Sequence, residues 1–281
     1  MQKIFITYSN ERFAQSRKRI CREARALRLF DKVIAYTPED LPTCVQASPL
    51  MAYERGGGYW IWKPYIIWKT INEYKDAIVV YVDAGCTLHA SDEWDAWFSE
   101  MEKYKVLLPQ YRDGVDYGWE KKLGCGSPKI KHWTKKSALD YFSVLFENEE
   151  WKDENKCFAG FVMARNGSAL IEEWMRMGLF HPELFCDPTG IEINNQYAFY
   201  AVHRYDQSIL SILSLYYRER VGEVKLYPET CELESDGMAV RTTRIMFQKS
   251  ETIKTKMIRM IKILMGGRTY ERLHGRKTNQ H

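Results

Sequence analysis

The sequence predicts an α/β protein with a mostly parallel central sheet flanked by helices. Three observations carry this. Apolar, β-branched and aromatic runs alternate in order with helical stretches, as strand, helix, strand, helix, strand. The run "DAIVVYVDAG" (residues 76–85) is almost unbroken apolar text, as expected for a strand covered on both faces. The chain has 281 residues and is 45% hydrophobic, which suits one sizeable core.

Element by element, "KIFITY" (residues 3–8) reads as the first strand, and "SNERFAQSRKRICREARAL" as a helix capped by Ser9 or Asn10. "DKVIAYT" is a second strand ended by the turn "PEDLP". Residues 64–75 suit a helix with Pro64 in its first turn, leading to the strand of residues 76–85. Further on, "SDEWDAWFSEMEKY" is a helix, "KVLLPQ" a strand, residues 111–128 a glycine-rich loop and "KHWTKKSALDYFSVL" a helix. "FAGFVMARNG" is a strand, "SALIEEWMRMGLF" a helix capped by Ser168, "DQSILSILSLYYRER" a helix and "VKLYPE" a late strand.

Seven scattered cysteines without a CxxC pair indicate neither a zinc ribbon nor a disulfide framework, and reduced thiols are the simplest account. His89, His132, His181 and His203 lack a metal-ligand spacing. The N-terminus does not read as a signal peptide, and no apolar run approaches the roughly 20 residues needed to span a bilayer. A soluble or peripherally bound cytoplasmic protein is therefore expected. Nine Trp and eighteen Tyr exceed the needs of a core this size, and such rings suit sugar and nucleobase faces.

Two segments carry the densest chemistry. In "RGGGYWIWKPYIIW" (residues 55–68), three glycines permit close backbone approach or positive φ. Arg55 and Lys63 can meet phosphate oxygens, and Tyr59, Trp60 and Trp62 can border a ring. The same text also reads as a glycine turn leading into an aromatic helix packed on the sheet. It is neither a P-loop nor a GxGxxG dinucleotide turn. In "VVYVDAGC" (residues 79–86), Asp83 stands at the carboxyl end of a central strand, where open α/β sheets bind ligands. Asp83 can equally cap the turn, with Gly85 serving its geometry.

This order of segments resembles the nucleotide-sugar half of bacterial glycosyltransferases with the glycosyltransferase-A fold, of the type acting in capsular polysaccharide and lipopolysaccharide biosynthesis. The resemblance implies a glycosyltransferase-A-like catalytic domain over residues 1–250, with a Rossmann-like sheet. Its donor is a nucleotide sugar, bound by Thr7, Tyr8, Arg55, Tyr59, Trp60, Lys63, Asp83 and Gly85. In such families the strand ends in Asp-x-Asp, whose carboxylates hold Mn²⁺ or Mg²⁺ against the diphosphate. Here Asp83-Ala84-Gly85 replaces it. Arg55 and Lys63 would then neutralise the leaving group, or Asp83 would bind metal with help from elsewhere. "CFAGFVMARNG" resembles the strand beneath the sugars, with Ala159 and Gly160 small so that a sugar can lie on backbone. "HRYDQSILSILSL" resembles the Asp-Gln helix opening, which places Asp206 and Gln207 at the sugar, although Asp206 also reads as a helix cap. Asp206 and Glu192 are the candidate general bases beside Asp83. Asp113 and Asp116 lie in a glycine-rich loop that would serve as an acceptor-side lid.

Residues 251–281 hold eight basic and two acidic residues, whereas the body is nearly neutral. On a helix, Ile253, Met257, Met260, Ile261 and Leu264 share one stripe, with Arg259 and Lys262 opposite. This basic tail is expected to lie on an anionic membrane surface, near a lipid-linked glycan acceptor. Packing back on the domain is the alternative, and nucleic-acid binding is disfavoured because no such motif accompanies the tail. The expected function is hexose transfer from a nucleotide donor, UDP-linked in the first instance, to a cell-surface glycan precursor. A non-catalytic carbohydrate-binding or scaffold role is the second reading.

Overall fold

A computed structural model describes residues 1–233 and 237–243. The apolar opening text forms β1 (Gln2–Tyr8), which lies parallel to β2 (Lys32–Tyr36) on one side and to β3 (Ala77–Val82) on the other. The sheet continues through β4 (Val106–Gln110), β5 (Phe161–Arg165) and β6 (Val224–Pro228) in the spatial order β2-β1-β3-β5-β4-β6. β5 is antiparallel to both neighbours, and the other strands all run one way. The sheet is thus mostly parallel, as expected. β5 reverses because the preceding chain already lies along the carboxyl rim, where Phe158 N donates to Pro109 O and Asp83 N to Gly160 O. From that rim the chain can enter the sheet only in the opposite sense.

Every β3 residue is buried, and alternation divides its side chains between two cores. On one face, Val79 and Tyr81 pack with α2 (Trp62–Glu73), α4 (Lys136–Ser143), α5 (Ala169–Phe180) and α6 (Asp206–Arg220). On the other, Ile78, Val80 and Val82 meet α1 (Ala14–Leu27) and α3 (Glu93–Glu100), including Trp94 and Trp97. The apolar density read from residues 76–85 therefore reflects helices on both faces.

Several local expectations need correction. A 3₁₀ turn (Glu11–Phe13) precedes α1, and neither Ser9 nor Asn10 makes a capping bond. The segment expected to be one helix after residue 130 divides into a 3₁₀ turn (Ile130–Trp133) and α4. Thr134 and Lys135 are extended there, and Lys135 N donates to His203 Nδ1 at 3.2 Å instead of entering a helix. The glycine-rich loop contains a short helix, Trp119–Leu123. A small second sheet, Thr87–Leu88 with Val240–Arg241, was not legible in two-residue strands. The tail from residue 251 lies outside the described residues.

The Ser168 cap does form: its Oγ accepts from Ile171 N at 3.2 Å. Buried Glu223 completes the start of α5 by accepting from Leu170 N at 2.7 Å and from Ser168 Oγ at 3.1 Å. Ser168→Ala is expected to cost about 1–2 kcal/mol in urea unfolding, and a change below the measurement error would contradict the capping assignment.

Candidate functional site

At the carboxyl end of β3 the chain turns, and the Asp83 side chain comes within reach of two other charged groups. Lys63, from the first turn of α2, places Nζ 2.6 Å from Asp206 Oδ2 and 3.4 Å from Asp83 Oδ1. It also donates to Ala159 O at 3.1 Å. The side chains of Lys63 and Asp206 are 2% and 6% exposed, whereas that of Asp83 is 35% exposed. Tyr81, fully buried and two residues before Asp83 on the same strand face, donates its hydroxyl to Asp83 Oδ1 at 2.5 Å.

These distances decide the role of Lys63. Its one well-formed hydrogen bond goes to the Ala159 carbonyl, while Asp206 and Asp83 meet it as ion pairs. Lys63 therefore lies beneath the carboxylates as a buried counter-charge, 2% exposed. Burial opposes its charge, but Asp206 and then Asp83 outweigh it and hold its pKa above the ordinary lysine value. Burial pushes Asp206 up to about 6 against the pull of Lys63, and Asp83 adds to the rise. Tyr81 is raised well above its ordinary value by burial and then by Asp83, so it stays a hydroxyl donor.

A wall of strained backbone borders this cluster. Gly56, Gly57, Gly58, Tyr59 and Trp60 all have positive φ, forming a left-handed turn before α2. Two of these are not glycine, and such residues cost roughly 1–2 kcal/mol each in this region. Tyr205, immediately before Asp206, is a further case at φ 54° and ψ −123°. The strained groups meet: Trp60 stacks on Tyr205 with centroids 5.5 Å apart, and Tyr59 lies 5.2 Å from it. Asp187 ties them by accepting from Tyr59 OH at 3.0 Å and from Tyr205 OH at 2.9 Å. Arg55 is exposed and lies over the Tyr205 ring at 4.9 Å. Strain gathered in one place and held by its surroundings is a mark of functional sites.

The remaining candidates fall in different places. Thr7 is fully buried and donates to Val82 O at 2.7 Å, joining β1 to β3. Tyr8 is 5% exposed and stacks on Trp62 at 3.7 Å. Gly85 accepts from Thr243 Oγ1 at 3.0 Å. Ala159 supplies the carbonyl to Lys63, and Gly160 is small for Phe158, whose ring carbons would lie 2.3 Å from an added Cβ. Gln207 opens α6 beside Asp206, with Nε2 buried and without a hydrogen-bond partner among the described residues. Glu192 stands in a separate network, accepting from Ser137 N at 3.0 Å and lying 3.7 Å from Lys135 Nζ. Burial opposes its charge, but the Ser137 bonds hold its pKa below the ordinary value. Asp113 is bound to Lys129 at 2.8 Å, and Asp116 Oδ1 accepts from Gly118 N at 2.7 Å.

His203 is buried, with Nε2 2.8 Å from Leu184 O and Nδ1 accepting from Lys135 N. Burial, with the Lys135 charge, lowers it to about 3. The unfolded chain binds this proton near pH 6.5 and the folded one only near pH 3. The neutral histidine's contribution is thus complete above pH 6.5 and lost as the pH falls toward 3. Relative to His203→Gln, wild-type stability should fall more steeply over that window, by about 1.4 kcal/mol per pH unit in denaturant titrations. Parallel slopes would contradict a buried neutral imidazole.

Asp83 is the one carboxylate of this cluster within reach of a divalent cation from solvent, since the Asp206 side chain is 6% exposed. Asp83 Oδ1 is taken by Tyr81 and Lys63, and a buried ammonium lies 3.4 Å from it. Among the described residues no group of three His, Cys, Asp or Glu side chains converges to hold a metal. Mg²⁺ is usually bound by one or two carboxylates plus substrate phosphates. Here the second carboxylate, Asp206, is turned to the lysine instead.

No protein-family model matches the sequence, and no curated protein matches it. Solved structures with a similar path exist. One is a glycosyltransferase involved in glycosylation of the major capsid of PBCV-1, at 7% identity over 81% of this chain and 83% of that one, TM-score 0.42. Others are mouse xyloside xylosyltransferase 1 (10%, covering 82% and 86%, TM-score 0.40) and the galactosyltransferase LgtC with donor and acceptor sugar analogues (13%, covering 79% and 72%, TM-score 0.35). Likenesses this distant assign neither a donor nor an acceptor to this chain.

Proposed function

We propose that this protein is a glycosyltransferase that moves a hexose from a nucleotide-sugar donor to a cell-surface polysaccharide or lipopolysaccharide precursor. The observation that carries this reading is Asp83, a carboxylate held by Tyr81 and Lys63 at the end of a central strand with part of its surface open to solvent. A carboxylate so fixed suits a sugar hydroxyl of the donor, and the exposed Arg55 suits its diphosphate. In the reaction the anomeric carbon–oxygen bond breaks, the diphosphate leaves with the electron pair, and the acceptor oxygen bonds to that carbon as its proton passes to a base. Asp206, raised to about 6, is the carboxylate of this cluster best matched to proton exchange near neutral pH. The basic tail, residues 251–281, would hold the enzyme at the inner face of an anionic membrane beside a lipid-linked acceptor.

A second reading, a non-catalytic carbohydrate-binding protein of the same assembly pathway, is favoured by one observation. Lys63 is 2% exposed and ion-paired with Asp206 and Asp83, away from the surface where a leaving diphosphate would lie. Calorimetry with UDP, GDP and CMP, each with and without Mn²⁺, separates the two. Binding of one nucleotide to wild type, at least tenfold weaker in Asp83→Ala, is the result expected of a donor site. No binding of any of them under either condition overturns the transferase reading.

A further inference from the structure

The helical layer holds a cavity apart from the Asp83 site. About 570 Å³ of space opens between the C-terminal end of α4, the middle of α5 and the second half of α6. Its floor is apolar, with Phe142, Met177 and Leu213 buried there. Tyr141, Tyr216 and Tyr217 form its walls. The rings of Tyr216 and Tyr217 stand at 86° to one another with centroids 5.3 Å apart, so their faces point in different directions. The mouth is open to solvent, since Tyr141 is 38% and Val144 85% exposed. Leu213 and Tyr217 lie 7 and 11 residues past Asp206 on α6, about 10–17 Å along its axis. The cavity is thus separate from the carboxylate cluster.

Two carboxylates line the cavity, Asp140 and Glu173, and no Lys or Arg does. Asp140 is committed to Lys136 and to the Tyr197 hydroxyl at 2.6 Å. Glu173 is not: among the described residues it accepts no hydrogen bond, and Arg176 Nε stays 3.7 Å away on an exposed arm. Burial and then Glu173 raise the Tyr141 hydroxyl above its ordinary value, and the same two push Tyr217 up to about 12. The Glu173 charge is therefore felt at both walls. The wall rings are also uncovered: among the described residues no Lys or Arg lies over any of the three, whereas Lys136 and Lys152 cover Tyr197 nearby.

We propose that this cavity binds a small organic cation of the alkylated-ammonium class, with its charge against the tyrosine faces and Glu173 and its apolar body on the floor. Aromatic faces carry partial negative charge and attract such a cation, most strongly where water is excluded. An anion would meet Glu173 with no cation among the lining residues to offset it. A bare inorganic cation would leave the floor unfilled, whereas this volume lies within the roughly 300–1,000 Å³ usual for organic ligands. The inference does not depend on glycosyl transfer.

Calorimetry on the full chain tests this with three probes: benzyltrimethylammonium, benzyl alcohol and phenylacetate. The cation should bind at least tenfold more tightly than the neutral or the anionic probe. Glu173→Gln alters a partly exposed position whose surface pair contributes little to stability, so it should fold as the wild type does. It should weaken the cation roughly fivefold or more and leave benzyl alcohol unchanged. Tyr217→Phe keeps the ring and should hold cation binding within about twofold, whereas Tyr217→Leu should weaken it roughly fivefold or more. No binding of the cation, or equal binding of all three probes, overturns the proposal. So does cation binding that is unchanged in Glu173→Gln. Vesicles of phosphatidylcholine separate two sources of the same chemistry. Retention of the protein on them, competed by benzyltrimethylammonium, would assign the cation to a lipid headgroup, and calorimetric binding without retention would assign it to a free molecule.

Discussion

Replacing Lys63 with methionine should destabilise the protein by about 3–5 kcal/mol at pH 7, the cost of leaving a buried charge without its partner. The substitution preserves length and apolar volume but leaves the Asp206 carboxylate, 6% exposed, facing Asp83 and Tyr81 with no cation. The deficit should depend on pH. Asp206 is already raised to about 6 with Lys63 in place, and without it the rise must be larger. A carboxyl raised in the folded state contributes stability that is present below the unfolded value near 4 and lost as the pH rises through the folded value. Lys63→Met should therefore sit closer to wild type at pH 4.5 than at pH 7. The pair Lys63→Met with Asp206→Asn should recover part of the loss. Urea unfolding at the two pH values checks this, and a pH-independent change below 1 kcal/mol would contradict the counter-charge role.

Gly58→Ala is the second substitution with a large expected effect. Gly58 has φ +99°, and an added Cβ would lie 2.5 Å from Met51 Sδ and 3.0 Å from Met51 Cα. The sulfur can swing away; the backbone atom cannot. Strain of roughly 1–2 kcal/mol combines with an overpacking cost of similar size, about 3 kcal/mol in all. Because Tyr59 and Trp60 follow directly, the change should also disturb their stacking on Tyr205 and weaken nucleotide binding. Gly114→Ala is the control: its φ is +74°, but nothing lies within 4 Å of the added Cβ. It should cost only the backbone strain, about 1 kcal/mol. Equal losses for the two would show that contact with Met51 is not felt.

The strands were legible because their chemistry is local. Residues 78–82 carry β-branched and aromatic side chains without a break, and helices on both faces require that. The Ser168 cap was legible for the same reason, since its partner is three residues away. The direction of β5 was not, because text that reads as a strand does not reveal which rim the chain enters from. Asp83 and Asp206 could be picked out one by one, but their meeting at Lys63 depends on contacts spanning 20 and 143 residues. Tyr81 was within reach, since alternate strand residues share a face and Tyr81 stands two before Asp83. Asp187 was not, because it lies in irregular chain and acts through two tyrosines 128 and 18 residues away. Glu192 carried the right chemistry in sequence but is committed to Ser137 and Lys135.

The reversal of β5 divides the sheet into two blocks of like-directed strands, β2-β1-β3 and β4-β6, with one strand as the border. Asp83 belongs to the first block, at the carboxyl end of β3. Exchange of one block for a foreign one would cut across this border. Lys63 sets the condition for such recombination. Its ammonium, rooted in the first block, grips Asp206 and the Ala159 carbonyl beyond the border. A chimera that kept those two acceptors would inherit a closed joint. One that lost Asp206 would carry a buried cation with half its charge unmatched, and the substrate it was designed to accept would matter less than whether it folded.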